Sequence, residues 1–97
     1  MADAVAVHTA DGVVATGLGY LVGVHISTAS GAAAQVIIYD HDAASGTKVF
    51  ETYVVEGLPV TIFFPTRYAI RFEIGLYIDL PVNTTAVIWT RTYNVIS

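Results

Sequence analysis

The chain has 97 residues, of which 55% are hydrophobic and only 12% are charged, with a formal net charge of -4. This length allows one domain, residues 1–97, and the absence of cysteine excludes disulfides and thiolate metal sites. Its four basic residues, Lys48, Arg67, Arg71 and Arg91, are too dispersed to follow a phosphate backbone, so nucleic acid is excluded as a partner.

Runs of β-branched and aromatic residues alternate with turn residues along most of the chain, a pattern typical of short strands. The predicted strands are residues 4–8, 19–28, 34–40, 47–55, 60–64, 68–74, 76–80 and 85–95. No segment has the spacing of an amphipathic helix. About eight strands at this spacing predict an all-β fold, an antiparallel β-sandwich of jelly-roll or Greek-key type.

Three of these strands alternate regularly enough for side chains to be assigned to faces of a sheet. The sets that we predict to share a face are Tyr20, Val22, Val24 and Ile26; Tyr68, Ile70, Phe72 and Ile74; and Val87, Trp89, Arg91, Tyr93 and Val95. A single small core cannot enclose so much apolar strand surface. We therefore expect part of it to be covered by another molecule.

Residues 12–39 contain no Asp, Glu, Lys or Arg, so a membrane helix has to be considered. Glycine, serine and threonine interrupt this span, which disfavours a compact apolar block of about 20 residues. The first residues carry Asp3 where a secretory leader needs basic residues. The sequence therefore predicts synthesis in a cytoplasm and no membrane partner.

The loop at Asp40, His41 and Asp42 is the nearest approach to a metal or acid–base site. Its oxygens could hold a hard cation, and its histidine could titrate near neutral pH. We favour turn chemistry, because adjacent side chains diverge and Asp commonly caps turns. His25 is expected on a sheet face at a protein contact, and His8 is assigned no role.

No catalytic constellation can be named from the sequence. The serines lack the G-x-S-x-G elbow of a nucleophile, and the glycines near residue 17 do not open a helix as a dinucleotide loop would. The carboxylates fall on separate predicted strands, unlike those of a glycosidase. We expect no enzymatic activity, no cofactor and no metal.

The aromatic residues allow two interpretations. Tyr53, Tyr77, Trp89 and Tyr93 could stack on sugar rings, or they could lie in the core or in a subunit interface, where Trp, Tyr and Arg are enriched. We favour the core or the interface. The interface residues predicted from the sequence are Trp89, Arg91, Tyr93 and Tyr77.

Several segments together suggest a family. Residues 19–24 fit the pattern G-x-L-x-G-V, residues 36–40 fit V-x-I-Y-D, and residues 44–47 fit a turn of the type (A/S)-S-G-T. Residues 72–78, FEIGLYI, and residues 86–91, AVIWTR, complete the likeness. The chain in this respect resembles small virion β-sandwich proteins of tailed bacteriophages, of the head decoration (cement) type.

The resemblance implies a β-sandwich present in many copies on the capsid surface, usually as a homotrimer, made in the host cytoplasm and bound to the major capsid protein or another virion protein. It brings no catalytic residues with it. The function expected from it is a structural one, a capsid decoration subunit that binds and stabilises the viral shell. A phage tail or baseplate component and a small glycan-binding, lectin-like module remain as alternatives.

Overall fold

A computed structural model describes residues 2–29, 31 and 33–92 of the chain. These residues form nine strands and one short 3-10 helix, Thr66–Tyr68. No helix within them is long and apolar enough to cross a membrane. The strands are β1 (Ala2–His8), β2 (Gly12–Thr16), β3 (Gly19–Thr28), β4 (Ala34–Asp40), β5 (Thr47–Val54), β6 (Val60–Phe63), β7 (Ile70–Phe72), β8 (Gly75–Asp79) and β9 (Thr84–Thr92).

The strands form two antiparallel sheets that pack face to face. The first sheet has the order β1-β9-β3-β6, with β7 also paired to β3, and the second has the order β2-β8-β4-β5. Strands β6 and β7 pair with successive parts of β3 and together act as one interrupted strand. If β6 and β7 are counted as one strand, the two sheets have four strands each, and their strand order is that of a jelly roll. The predicted β-sandwich is confirmed.

The core lies between the sheets and takes side chains from both. Leu21, Val24 and Ile88 of the first sheet and Ile38 and Ile78 of the second are fully buried. Burial of such side chains from water is the main favourable contribution to folding in a chain without disulfides.

Strand β9 keeps its predicted alternation throughout the described residues. Its core face carries Ala86, Ile88 and Thr90, all buried, whereas Val87, Trp89 and Arg91 lie on the outer face and are partly exposed. The predicted continuation of this face to Tyr93 and Val95 falls outside the described residues.

The shared face predicted for Tyr20, Val22, Val24 and Ile26 is wrong. Val24 and Ile26 are fully buried, but Tyr20 and Val22 are only partly buried. The cause is a β-bulge, seen as a register shift between Leu21 and Gly23 against β9. The extra residue reverses the alternation, so the inward residue before the bulge is Leu21.

Two further predictions need correction. The predicted strand 68–74 is reduced to β7, because the 3-10 helix takes up Tyr68 and a bend exposes 56% of Ile74.

Strand β2 was not predicted at all. It is only five residues long, between Gly12 and Thr16, and its core-packed residues are only partly buried. Such a weak apolar signal does not stand out from a loop in the sequence.

Candidate functional site

The outer face of the first sheet carries a row of four residues in register. Val5 of β1 lies opposite Trp89 of β9, Trp89 lies opposite Gly23 of β3, and Gly23 lies opposite Phe63 of β6. Opposed residues in antiparallel strands project to the same side of the sheet. One apolar row therefore crosses the first sheet from edge to edge.

A neighbouring row is apolar on β1 and β9 and polar on β3 and β6. Val7 lies opposite Val87, and Val87 lies opposite His25. His25 Nδ1 is 2.6 Å from Thr61 Oγ1, so this part of the row is polar. The apolar residues of the two rows are called the Trp89 face: Val5, Val7, Phe63, Val87 and Trp89.

The opposite border of the Trp89 face is also polar. Tyr20 of β3 lies opposite Arg91 on one side and Arg71 on the other. Arg71 also approaches Glu73, with 3.4 Å between Nη2 and Oε1. Polar residues thus bound the apolar face on two sides, which is the arrangement of core and rim in protein interfaces.

The Trp89 face is open to solvent. The exposed fraction is 59% for Val5, 65% for Val7 and 59% for Phe63. An antiparallel sheet with one face on the core normally presents polar side chains on the other. A contiguous apolar face with a polar border is instead typical of a surface that contacts another protein.

Gly23 sets the geometry at the centre of this face. A Cβ atom at position 23 would lie 2.5 Å from Phe63 Cδ1. The missing side chain lets the Phe63 ring lie over the backbone and reach Trp89, with 4.8 Å between the ring centroids and 53° between the planes. Aromatic rings at this separation attract each other beyond the gain from burial.

The structure separates the interface residues that the sequence predicted. Trp89 and Arg91 share the outer face of the first sheet. Tyr77 lies in the second sheet, opposite Val13 and Tyr39, and is directed away from the core. Tyr93 lies outside the described residues. The sequence also missed Val5, Val7 and Phe63, which come from distant strands and are recognisable only once the register is known.

The outer face of the second sheet has a different character. Gln35 Nε2 donates to Glu51 Oε2 at 2.7 Å, and Lys48 Nζ lies 3.4 Å from the same oxygen. Tyr39 is 9% exposed, whereas Tyr53 is 63% exposed. Since Tyr53 and Trp89 belong to opposite outer faces of the sandwich, the aromatic residues considered for sugar stacking do not form one platform.

The predicted loop after β4 is present, and Asp40 has a structural role in it. Its carboxylate accepts backbone N–H bonds from Glu73 at 3.0 and 3.1 Å, from Ile74 at 2.8 Å and from Gly75 at 3.3 Å. Burial raises the pKa of Asp40, but these three donors and nearby His41 outweigh it and hold the pKa below its ordinary value. Asp40 thus fixes the turn between β7 and β8.

The remaining loop residues bring together no metal site. His41 Nδ1 lies 2.8 Å from Asp42 Oδ1, a contact between charged groups when the histidine is protonated. Its geometry is not that of a hydrogen bond. Among residues 2–29, 31 and 33–92, no three or more His, Asp or Glu side chains are grouped to hold a metal ion.

A pair of carboxyl groups lies where β8 ends. Asp11 Oδ1 accepts the backbone N–H of buried Leu80 at 2.6 Å. Burial, the charge of Asp11 and a hydrogen bond to Asp11 raise the pKa of Asp79 above its ordinary value. The hydrogen bond from Leu80 to Asp11 joins the β1–β2 connection to the chain just after β8, so we assign the pair a structural role.

No protein-family model matches the sequence, and no curated protein shows a significant match to it.

Proposed function

We propose that this chain is a structural subunit of a larger protein assembly and that it contacts a neighbouring protein through the Trp89 face. The observation that supports this function is the row Val5, Trp89, Gly23 and Phe63, in which Val5 and Phe63 are exposed and Trp89 between them is partly exposed. Aromatic residues surrounded by a polar rim are typical of interface centres, and Trp is among the residue types that dominate binding energy there.

In its finer form, the proposal is a capsid decoration subunit that binds and stabilises a viral shell as a homo-oligomer on the virion surface. The resemblance to tailed-phage virion proteins supports this form. The jelly-roll fold is compatible with it, since viral capsid proteins use this fold, but so do lectins. Fold alone does not determine function. We do not propose the lectin alternative, because Tyr53, Tyr77 and Trp89 do not share a surface.

The proposal is tested by co-sedimentation with empty shells assembled from the major shell protein of the same source. The chain should sediment with the shells and raise their melting temperature. Trp89→Ala should lose binding, whereas Tyr53→Ala, which removes an exposed aromatic from the other sheet, should retain it. A folded chain that leaves the shells unbound and their heat resistance unchanged would contradict the proposal.

A further inference from the structure

The edge strand β1 has one free side within the described part of the chain. It pairs with β9 through seven consecutive residue pairs, from Ala2 opposite Thr92 to His8 opposite Ala86, without a register shift. No other described strand pairs with it. At every second residue its N–H and C=O groups therefore point away from the sheet, ready to pair with another strand.

The other three sheet edges carry features that obstruct strand pairing. Strand β2 is short and has a register shift between Val13 and Ala15. Strand β5 pairs with β4 through a shift and carries exposed Lys48 near its start. The β6–β7 edge is interrupted by Pro65 and the 3-10 helix. Bulges, lysine, proline and short strands are known means of preventing edge-to-edge association.

Strand β1 has no bulge, and its one acidic residue, Asp3, lies near its start. Its residues, ADAVAVH, include no proline, lysine or arginine. We propose that β1 pairs antiparallel with β1 of a second copy of this chain. The second copy is the partner that fits, because its own β1 is the only uninterrupted edge that it can offer within the described residues. Such a contact has two-fold symmetry and closes on itself, so it gives a dimer and not a fibre.

Any register that places odd-numbered residues of the two β1 strands opposite each other keeps the Trp89 faces of both copies on the same side of the joined sheet, and in two of these registers Val5 lies opposite a valine. In one register Val5 lies opposite Val5 of the second copy, and in the other Val5 lies opposite Val7. Opposed residues then add apolar contacts between the two edge strands. Asp3 does not lie opposite Asp3 of the second copy in either register, so the pairing brings no like charges together.

The dimer would enlarge the surface proposed above. Four adjacent strands span about 14 Å between their outermost axes, and eight span about 34 Å, at roughly 4.8 Å per spacing. A specific interface buries about 800 Å² on each partner, which corresponds to a patch about 28 Å wide. The joined sheet is wider than such a patch, whereas a single sheet is narrower. The dimer itself goes beyond the proposed function and does not depend on it.

The chain contains no cysteine, so single cysteines can report the contact directly. Val5→Cys and Ala6→Cys each place a thiol next to its own copy in one of the two registers, and mild oxidation should link one of them into a covalent dimer. Val82→Cys is the control, because Val82 is 80% exposed and lies outside β1, in the turn between β8 and β9. It should stay largely unlinked at the same concentration.

The native mass of the unmodified chain completes the test. Light scattering should give twice the 10.3 kDa of one chain, whereas the resemblance to decoration proteins predicts three times this mass. A mass of one or three chains would overturn the inference. A dimer that neither cysteine cross-links, or that Val82→Cys links equally fast, would also overturn it. Trp89→Ala should keep the dimer even if it loses shell binding, so the two proposals can fail separately.

Discussion

The ring of Phe63 contacts the ring of Trp89 across Gly23, with 4.8 Å between the ring centroids. These two aromatic residues come from strands that are not adjacent in the sheet, and the glycine between them removes the side chain that would keep them apart. The contact makes the centre of the Trp89 face continuous. Its continuity can be tested without changing either aromatic residue.

Gly23→Ala should break this contact. The new Cβ would lie 2.5 Å from Phe63 Cδ1, and the exposed ring can rotate into solvent. We expect stability to fall by no more than about 1 kcal/mol, the size of one aromatic pair, and acrylamide to quench Trp89 fluorescence more strongly. Gly31→Ala is the control, because no atom lies within 4 Å of its added Cβ. Unchanged quenching in Gly23→Ala would show that Phe63 does not shield Trp89.

Trp89→Ala should weaken binding to the proposed shell by about 2–4 kcal/mol, as expected for an aromatic residue at the centre of an interface. Since Trp89 lies on the outer face, the loss of folding stability should be smaller than the roughly 3–5 kcal/mol of a buried aromatic. Binding isotherms and urea unfolding measure the two effects. A large loss of stability with unchanged binding would assign Trp89 to the fold alone.

Asp40→Asn should destabilise the chain at neutral pH. The substitution keeps the shape of the side chain but removes the negative charge that accepts N–H bonds from Glu73, Ile74 and Gly75. We expect a loss of about 1–2 kcal/mol, since hydrogen bonds to charged acceptors are stronger than neutral ones. Asp42→Asn serves as the control, because Asp42 is 74% exposed and should change stability little.

The pH dependence of this effect has a defined direction. Folding lowers the pKa of Asp40, so its contribution is present above its unfolded pKa of about 4. It is lost as the pH falls through the lowered folded pKa. The difference in urea midpoint between the unmodified chain and Asp40→Asn should therefore shrink in acid. A difference that is independent of pH between 2 and 7 would count against a role for the charge.

Asp79→Asn should have the opposite effect. Burial and Asp11 raise the pKa of Asp79, so its ionisation opposes folding: the loss of stability begins above the unfolded pKa of about 4 and is complete above the raised pKa of the folded chain. The neutral amide should make the chain more stable at pH 7, with the advantage disappearing below about pH 4. Thermal unfolding across this range measures it, and a variant less stable than the unmodified chain at pH 7 would refute the raised pKa.

Asp11→Ala provides the matched comparison for that pair. It also removes the repulsion, but it leaves the N–H of buried Leu80 without its acceptor at 2.6 Å. A buried donor without a partner costs about 1–3 kcal/mol. We therefore expect Asp11→Ala to be destabilised where Asp79→Asn is stabilised, and equal effects of the two substitutions would contradict this division of roles.

The alternation of apolar residues was sufficient to predict the β-sandwich and the bounds of β3 and β4. It also predicted that Trp89 and Arg91 share a face, because the extra residue of the nearby bulge belongs to β3 and the alternation of β9 itself is uninterrupted. The same reasoning was wrong for Tyr20 and Val22, since one extra residue in β3 reverses the alternation. Gly23 is a local signal of a bulge or a close backbone approach, but the sequence does not indicate which of the two occurs or which residue is extra.

The Trp89 face could not be predicted as a surface. Val5, Trp89, Gly23 and Phe63 come from four strands, and their alignment depends on strand order and register. A register change of one residue would move each side chain to the opposite face. For the same reason the sequence grouped Tyr77 with Trp89, although the two strands belong to different sheets.

Trp89 is the only tryptophan of the chain, so its fluorescence reports directly on the surface that we propose to contact a neighbouring protein. The most direct measurement is acrylamide quenching of Trp89 in the free chain and after saturation with the empty shells described above. We expect the shells to reduce quenching strongly and to shift the emission to shorter wavelength. A chain that binds the shells while Trp89 stays as accessible as in solution would contradict contact through the Trp89 face.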